Sequence, residues 1–107
     1  MPNQSPLLEN ILKSLDDIQA QDISVIDVRD QTTITDQMII CTGRSSRHVK
    51  SIAKQVIEDL KSKGSKAYSN AGLNSGDWAL IDFGDIIVHV MQSESRAFYN
   101  LEGLWQA

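Results

Sequence analysis

The sequence predicts an α/β fold: a single domain with a mixed β-sheet of about five strands and helices packed on it. Two observations predict it. Runs of strand-like, β-branched composition alternate with runs whose apolar residues recur at helical spacing. In addition, an apolar strand passes through a glycine into a long helix at "MIICTGRSSRHVKSIA" (38–53), while "DWALIDFGDIIVHVM" (77–91) folds back on itself at Gly84–Asp85. A strand–helix–strand crossover gives a parallel pair and a tight turn gives an antiparallel one, so the sheet is mixed. No repeat or linker divides the 107 residues, a length suited to one core.

The elements follow in order. Ser5–Pro6 opens a first helix over about 6–20, because proline at the first helical position loses no needed hydrogen bond. Leu8, Ile11, Leu12, Leu15 and Ile18 form its apolar stripe. "ISVIDV" (23–28) and "QMIICT" (37–42) read as strands, joined by the polar loop "RDQTTITD". Ser45 caps a second helix, whose apolar side is Val49, Ile52, Ala53, Val56, Ile57 and Leu60 and which stops at Gly64. A short strand follows near "KAYS" (66–69). Then come strands 77–83 and 86–91, with Gly84 favouring a type II′ turn. "SESRAFYNLEGLW" closes the chain as one short helix capped by Ser93. The order is α-β-β-α-β-β-β-α.

Composition limits the function. No apolar run reaches the length of a membrane span, and "MPNQSPLLEN" lacks the pattern of a signal peptide. A lone cysteine, Cys41, excludes an internal disulfide and a cysteine-rich zinc site, and fits a reducing, cytoplasmic setting. The net charge of −4 is unevenly spread: between 44 and 66 seven basic residues face two acidic ones. Arg44, Arg47, Lys50 and Lys54 therefore make a basic start to the second helix. It is either a solvated face or a surface for nucleic acid.

The turn fixes the register of the last hairpin. Phe83 faces Ile86, Ile81 faces Val88, and Ala79 faces Val90, which makes one wholly apolar side. The other side gathers Trp78, Leu80 and Asp82 with Ile87, His89 and Met91. An aromatic, a carboxylate, an imidazole and a thioether on one surface suit a protein partner. The alternative is a second helical cover, with His89 bonded to Asp82 inside it.

Catalytic constellations are not evident. "TGRSSRH" lacks the glycine spacing of a phosphate loop. Glu58 and Asp59 are adjacent on a helix and diverge, and no third carboxylate stands beside Asp82 and Asp85. Cys41, within an apolar strand, reads as an inert buried thiol. No catalytic residue, metal site or cofactor is expected.

Three stretches together carry a resemblance: "TDQMIICTGRSSRHVKSIA", "DWALIDFGDIIVHVM" and "ESRAFYNLEGLW". In this order they closely resemble the bacterial ribosomal silencing factors of the Iojap family, over about Ile23 to Trp105. Ala71 departs from the pattern, standing where the family usually has a glutamate. The resemblance implies a domain similar to a nucleotidyl transferase fold lacking the catalytic carboxylates. It further implies binding to the large ribosomal subunit at ribosomal protein number fourteen, blocking small-subunit joining and lowering translation when nutrients are scarce. It implies a homodimer when the protein is free. Trp78 is then the first candidate contact, with Leu80, Asp82, His89 and Met91 on its face and Asp77, Asp82 and Asp85 as an acidic rim. Charge alone points Arg44, Arg47, Lys50 and Lys54 toward ribosomal RNA. The alternatives are a large-subunit assembly factor and a small nucleotidyl transferase or hydrolase acting at Gly43–Ser46.

Overall fold

Apolar stripes and β-branched runs assemble into nine elements in a computed structural model that describes residues 6–106. They are α1 (Pro6–Asp17), β1 (Gln21–Asp27), β2 (Gln37–Gly43), α2 (Ser46–Ser62), β3 (Ser69–Ala71), β4 (Trp78–Asp82), β5 (Ile86–Gln92), α3 (Ser93–Tyr99) and α4 (Leu101–Gln106). The five strands form one mixed sheet in the order β1-β2-β5-β4-β3. Only the central β2–β5 pair is parallel, running from Gln37↔Ile86 to Gly43↔Gln92, because α2 carries the chain across between them. The other pairs are antiparallel.

Strand alternation divides the sheet into two faces. One lies under α1 and α2, where Leu8, Ile11, Val49, Ile52, Val56 and Leu60 meet Ile39, Cys41, Ala79, Ile81, Val88 and Val90. The other is a smaller cluster of Ile26, Val28, Met38, Ile40 and Met91, with Trp78 and Leu101 packed partly against it. The hairpin register is the expected one: Ala79↔Val90, Ile81↔Val88, Trp78↔Met91, Leu80↔His89 and Asp82↔Ile87. Gly84 adopts φ +89, and the Phe83 amide donates to the Ile86 carbonyl at 2.9 Å across the turn.

Both ends of α2 follow the sequence. The Ser45 side chain accepts from the His48 amide at 3.1 Å. At the other end the Ser65 amide reaches Leu60 O and the Gly64 amide reaches Lys61 O, with Gly64 at φ +90, which is a Schellman ending.

Four expectations are corrected. The first helix ends at Asp17 rather than near 20, because Gln19 turns to φ 61 and the Ala20 amide bonds to Leu15 O. The third strand is Ser69–Ala71, not 66–69: pairing Ser69↔Asp82 and Ala71↔Leu80 is dictated by where β4 begins, which outweighs local propensity. Ser93 does not cap the last helix. Parallel pairing keeps β5 extended through Gln92, so Gln92 holds the cap position and Ser93 is already helical. The closing helix is two helices, because Asn100 takes a left-handed conformation (φ 48, ψ 52) that its short polar side chain tolerates. Its Oδ1 then accepts the Gly103 amide at 3.2 Å and starts α4. Ser5, expected before the first helix, lies outside the described residues.

Candidate functional site

The opening "TGRSSRH" resolves into structural parts. Gly43 ends β2, and a Cβ there would lie 2.7 Å from the Val49 side chain and 2.9 Å from its amide, so this glycine permits strand and helix to touch. Its φ is not positive, so close approach and not a left-handed backbone is what calls for glycine here. His48 Nδ1 accepts from the Arg44 amide (2.9 Å), which places the ring proton on Nε2, where it donates to Ile18 O (2.9 Å). The imidazole thus ties α2 to the end of α1. Cys41 is fully buried and its thiol is pushed up to about 12 by burial, leaving no thiolate for chemistry. Asp59 is engaged by Ser14 Oγ (2.7 Å) and Gln55 Nε2 (2.8 Å), on the α1 side of its helix. Among the described residues no three of His, Cys, Asp and Glu converge as metal ligands would.

The face around Trp78 is arranged differently. Trp78 opens β4 half-buried, and its Nε1 donates to His89 Nδ1 at 3.0 Å across the strand pair. His89 therefore bonds to the tryptophan, not to Asp82 as the covered-face alternative required. Asp82 instead accepts the Gly84 amide at 2.7 Å and closes the turn. Burial pulls the His89 imidazole down to about 4, so it is neutral, with its proton on Nε2. That Nε2 is buried without a partner among the described residues.

Tyr99, at the end of α3, packs on Trp78 with ring centroids 4.8 Å apart, and Phe98 meets Tyr99 edge-on at 5.0 Å. Phe98 is 81% exposed and Tyr99 51%. With Asp77, Glu94 and Ser95 they line an open crevice beside Trp78. Leu80 and Ile87 continue the face, half-buried, toward exposed Asp85 at the hairpin turn.

Arg96 holds the two C-terminal helices in place. Its guanidinium grips both Glu102 oxygens (2.8 and 2.9 Å), and also reaches Asp22 O, Thr42 Oγ1 and Ser24 Oγ. Ser24 in turn donates to Glu102 (2.9 Å). The pair binds α3 and α4 to β1 and β2, and fork-to-carboxylate geometry makes it directional. The Arg96 charge and the Ser24 hydroxyl hold the Glu102 carboxyl below its ordinary value.

The structure thus brings Trp78, Leu80, Asp82 and Asp77 to one accessible side, with Asp85 at its far end. It buries His89 (5% exposed) and Met91 (0%), which support that side from beneath. Arg44, Arg47, Lys50 and Lys54 lie along the start of α2, on the other side of the sheet. Phe98, Tyr99 and Glu94 line the crevice beside this face and were not among the residues expected there. A signal was present: adjacent aromatics on a short helix cannot both turn inward.

Comparison with known proteins adds the lineage. The model of the family described as "Ribosomal silencing factor during starvation" matches residues 2–107. The chain belongs to that family. The ribosomal silencing factor RsfS of Haemophilus influenzae is 43% identical over 99 residues, spanning 92% of this chain and 97% of that protein. The mouse protein "Mitochondrial assembly of ribosomal large subunit protein 1" is 34% identical over 89 residues, 80% of this chain and 39% of its own length. A crystal structure of a Chromobacterium violaceum protein superposes with a TM-score of 0.92 at 37% identity, covering 94% of this chain and 84% of the other.

Proposed function

We propose that this family member acts as a steric translation repressor with a ribosome-associated silencing role. It docks on the large ribosomal subunit at ribosomal protein number fourteen and keeps the small subunit from joining, lowering translation under nutrient limitation. The observation that carries the reading is Trp78. It is half-exposed, oriented by a hydrogen bond to a buried neutral imidazole, in tilted contact with Tyr99, and next to a crevice lined by Asp77 and Glu94. A rigid aromatic with an acidic border is the anchor that a basic ribosomal protein would meet. Leu80 and Asp82 extend the contact toward Asp85. A second contact, to ribosomal RNA, falls to Arg44, Arg47, Lys50 and Lys54.

The mechanism needs affinity and bulk, not turnover, and so no cofactor or metal. It operates in the cytoplasm, where ribosomes are. Among the described residues no helix is long and apolar enough to cross a membrane. Free protein pairs into a homodimer, which must open or leave Trp78 accessible for docking.

Purified protein should co-sediment with isolated large subunits and reduce their joining to small subunits. Free migration at low salt and micromolar protein defeats the proposal. The mouse relative's name favours a second reading, assembly of the large subunit without control of joining. Mature purified subunits separate the two: an assembly factor binds them, if at all, without inhibiting joining.

A further inference from the structure

We infer that the groove between α2 and the turn of residues 72–76 seats a phosphate backbone of ribosomal RNA, with Lys54 as its cationic wall and Lys50, against Gly76, one helical turn along the same ridge. This deepens the large-subunit reading above and rests on it.

The groove is built by close contacts. Ser46, Lys50 and Lys54 are spaced four apart and form one ridge of α2. The turn is fastened to that ridge: Ser46 Oγ donates to Ser75 O at 3.1 Å, and a Cβ on Gly76 would lie 2.2 Å from Ser46 Oγ and 3.1 Å from Lys50 Cε. Gly72 and Gly76 both hold positive φ (79 and 74), which lets the backbone bend this tightly. Lys54 on one side and Asn70, Gly72, Asn74 and Ser75 on the other then enclose an open cleft of about 570 Å³. Its walls offer ammonium and amide donors and no carboxylate.

The charges there are uncommitted. Among the described residues ion pairs join Lys13 to Asp17, Arg29 to Asp27 and Arg96 to Glu102. None joins a cation of α2, and Asp59 is occupied by Ser14 and Gln55. The adjacent carboxylate, Asp77, accepts from Gln92 Nε2 at 3.1 Å and lines the aromatic crevice. Ala71 in the cleft adds no charge. On a chain of net charge −4, this is a local site for an anion and not a general consequence of composition.

The cleft also adjoins the proposed protein contact. A Cβ on Gly72 would lie 2.0 Å from the Trp78 carbonyl, so the turn that forms the cleft packs on the residue that starts the aromatic face. One partner particle presenting protein and RNA side by side would engage both.

The test is the salt dependence of binding, measured with purified large subunits and, separately, with protein-free large-subunit ribosomal RNA. The Lys50→Gln/Lys54→Gln double variant should bind subunits about tenfold more weakly at low salt. It should lower the slope of log K against log salt by roughly 0.7–0.9 per lost contact. Trp78→Ala should weaken binding at every salt concentration without changing the slope. An unchanged slope and affinity in the double variant, with thermal melting confirming its fold, overturns the groove. If wild-type protein ignores the subunits, the repressor reading has failed and the RNA arm decides the groove alone. Loss of RNA binding in the double variant supports it; no difference, or no wild-type binding at low salt, overturns it.

Discussion

Leu80 and Ile81 are neighbours in β4, yet they belong to different materials. Ile81 is fully buried beneath the helices, among Ala79, Val88 and Val90. Leu80 looks the other way, half-buried, on the side of Trp78 and Ile87. The helix-covered face is continuous hydrocarbon from two helices and four strands. The other face holds an indole–imidazole bond, a tyrosine tilted against the indole and a border of carboxylates, and α3 and α4 cover only part of it. One side of the sheet supplies stability and the other supplies a surface, and the period of two keeps them apart.

Four perturbations sharpen this contrast, in falling order of size. Ile81→Ala should cost about 4 kcal/mol of unfolding free energy, because it leaves a cavity in a closed core. A loss of less than about 1 kcal/mol in the unfolding free energy from urea melts would mean that the covered face is loosely packed. Acid should act on the other face through His89. Its folded value, about 4, lies below the ordinary 6.5, so the unfolded chain takes the proton first. Stability is complete above about pH 6.5 and is lost as the pH falls toward 4, by up to about 3 kcal/mol. His89→Gln should remove that part of the pH profile in denaturation measured from pH 7 to 4. A wild-type profile flat over this range would show that the imidazole is not buried neutral.

Trp78→Ala should cost about 2 kcal/mol of large-subunit affinity, read by sedimentation, if the indole anchors the contact. An unchanged affinity places the contact on a different face. The smallest effect belongs to the border. Asp77→Asn and Asp85→Asn should each change affinity by about 0.5 kcal/mol, mainly by slowing association at low salt. A loss above about 2 kcal/mol would make them buried partners instead of steering charges.

The covered face was legible in the sequence and the other was legible only in part. Val49, Ile52, Val56 and Leu60 announce their helix by spacing, and Gly84–Asp85 sets which residues oppose which. These signals are local, and the structure repeats them. What stayed hidden depends on partners distant in the chain. His89 bonds to Trp78, and Asp82 turns instead to the Gly84 amide of its own hairpin turn. The break at Asn100 follows from Arg96 anchoring α3 while Glu102 anchors α4, a clasp that joins residues 22, 24, 42, 96 and 102. The position of β3 was missed because an exposed three-residue edge has almost no pattern of its own.

The lone parallel seam between β2 and β5 has a kinetic meaning. On either side of it the strands are joined to near neighbours in the chain, so each half can zip locally and early. The seam itself unites residues 49 apart, Gln37 with Ile86 and onward, and such distant pairing is slow to form. The seam is also the buried centre of the sheet, with Ile39, Ile40, Cys41, Val88 and Val90 closed off from solvent, so its amides should be the last to surrender their protons to heavy water, exchanging only when the entire molecule comes undone.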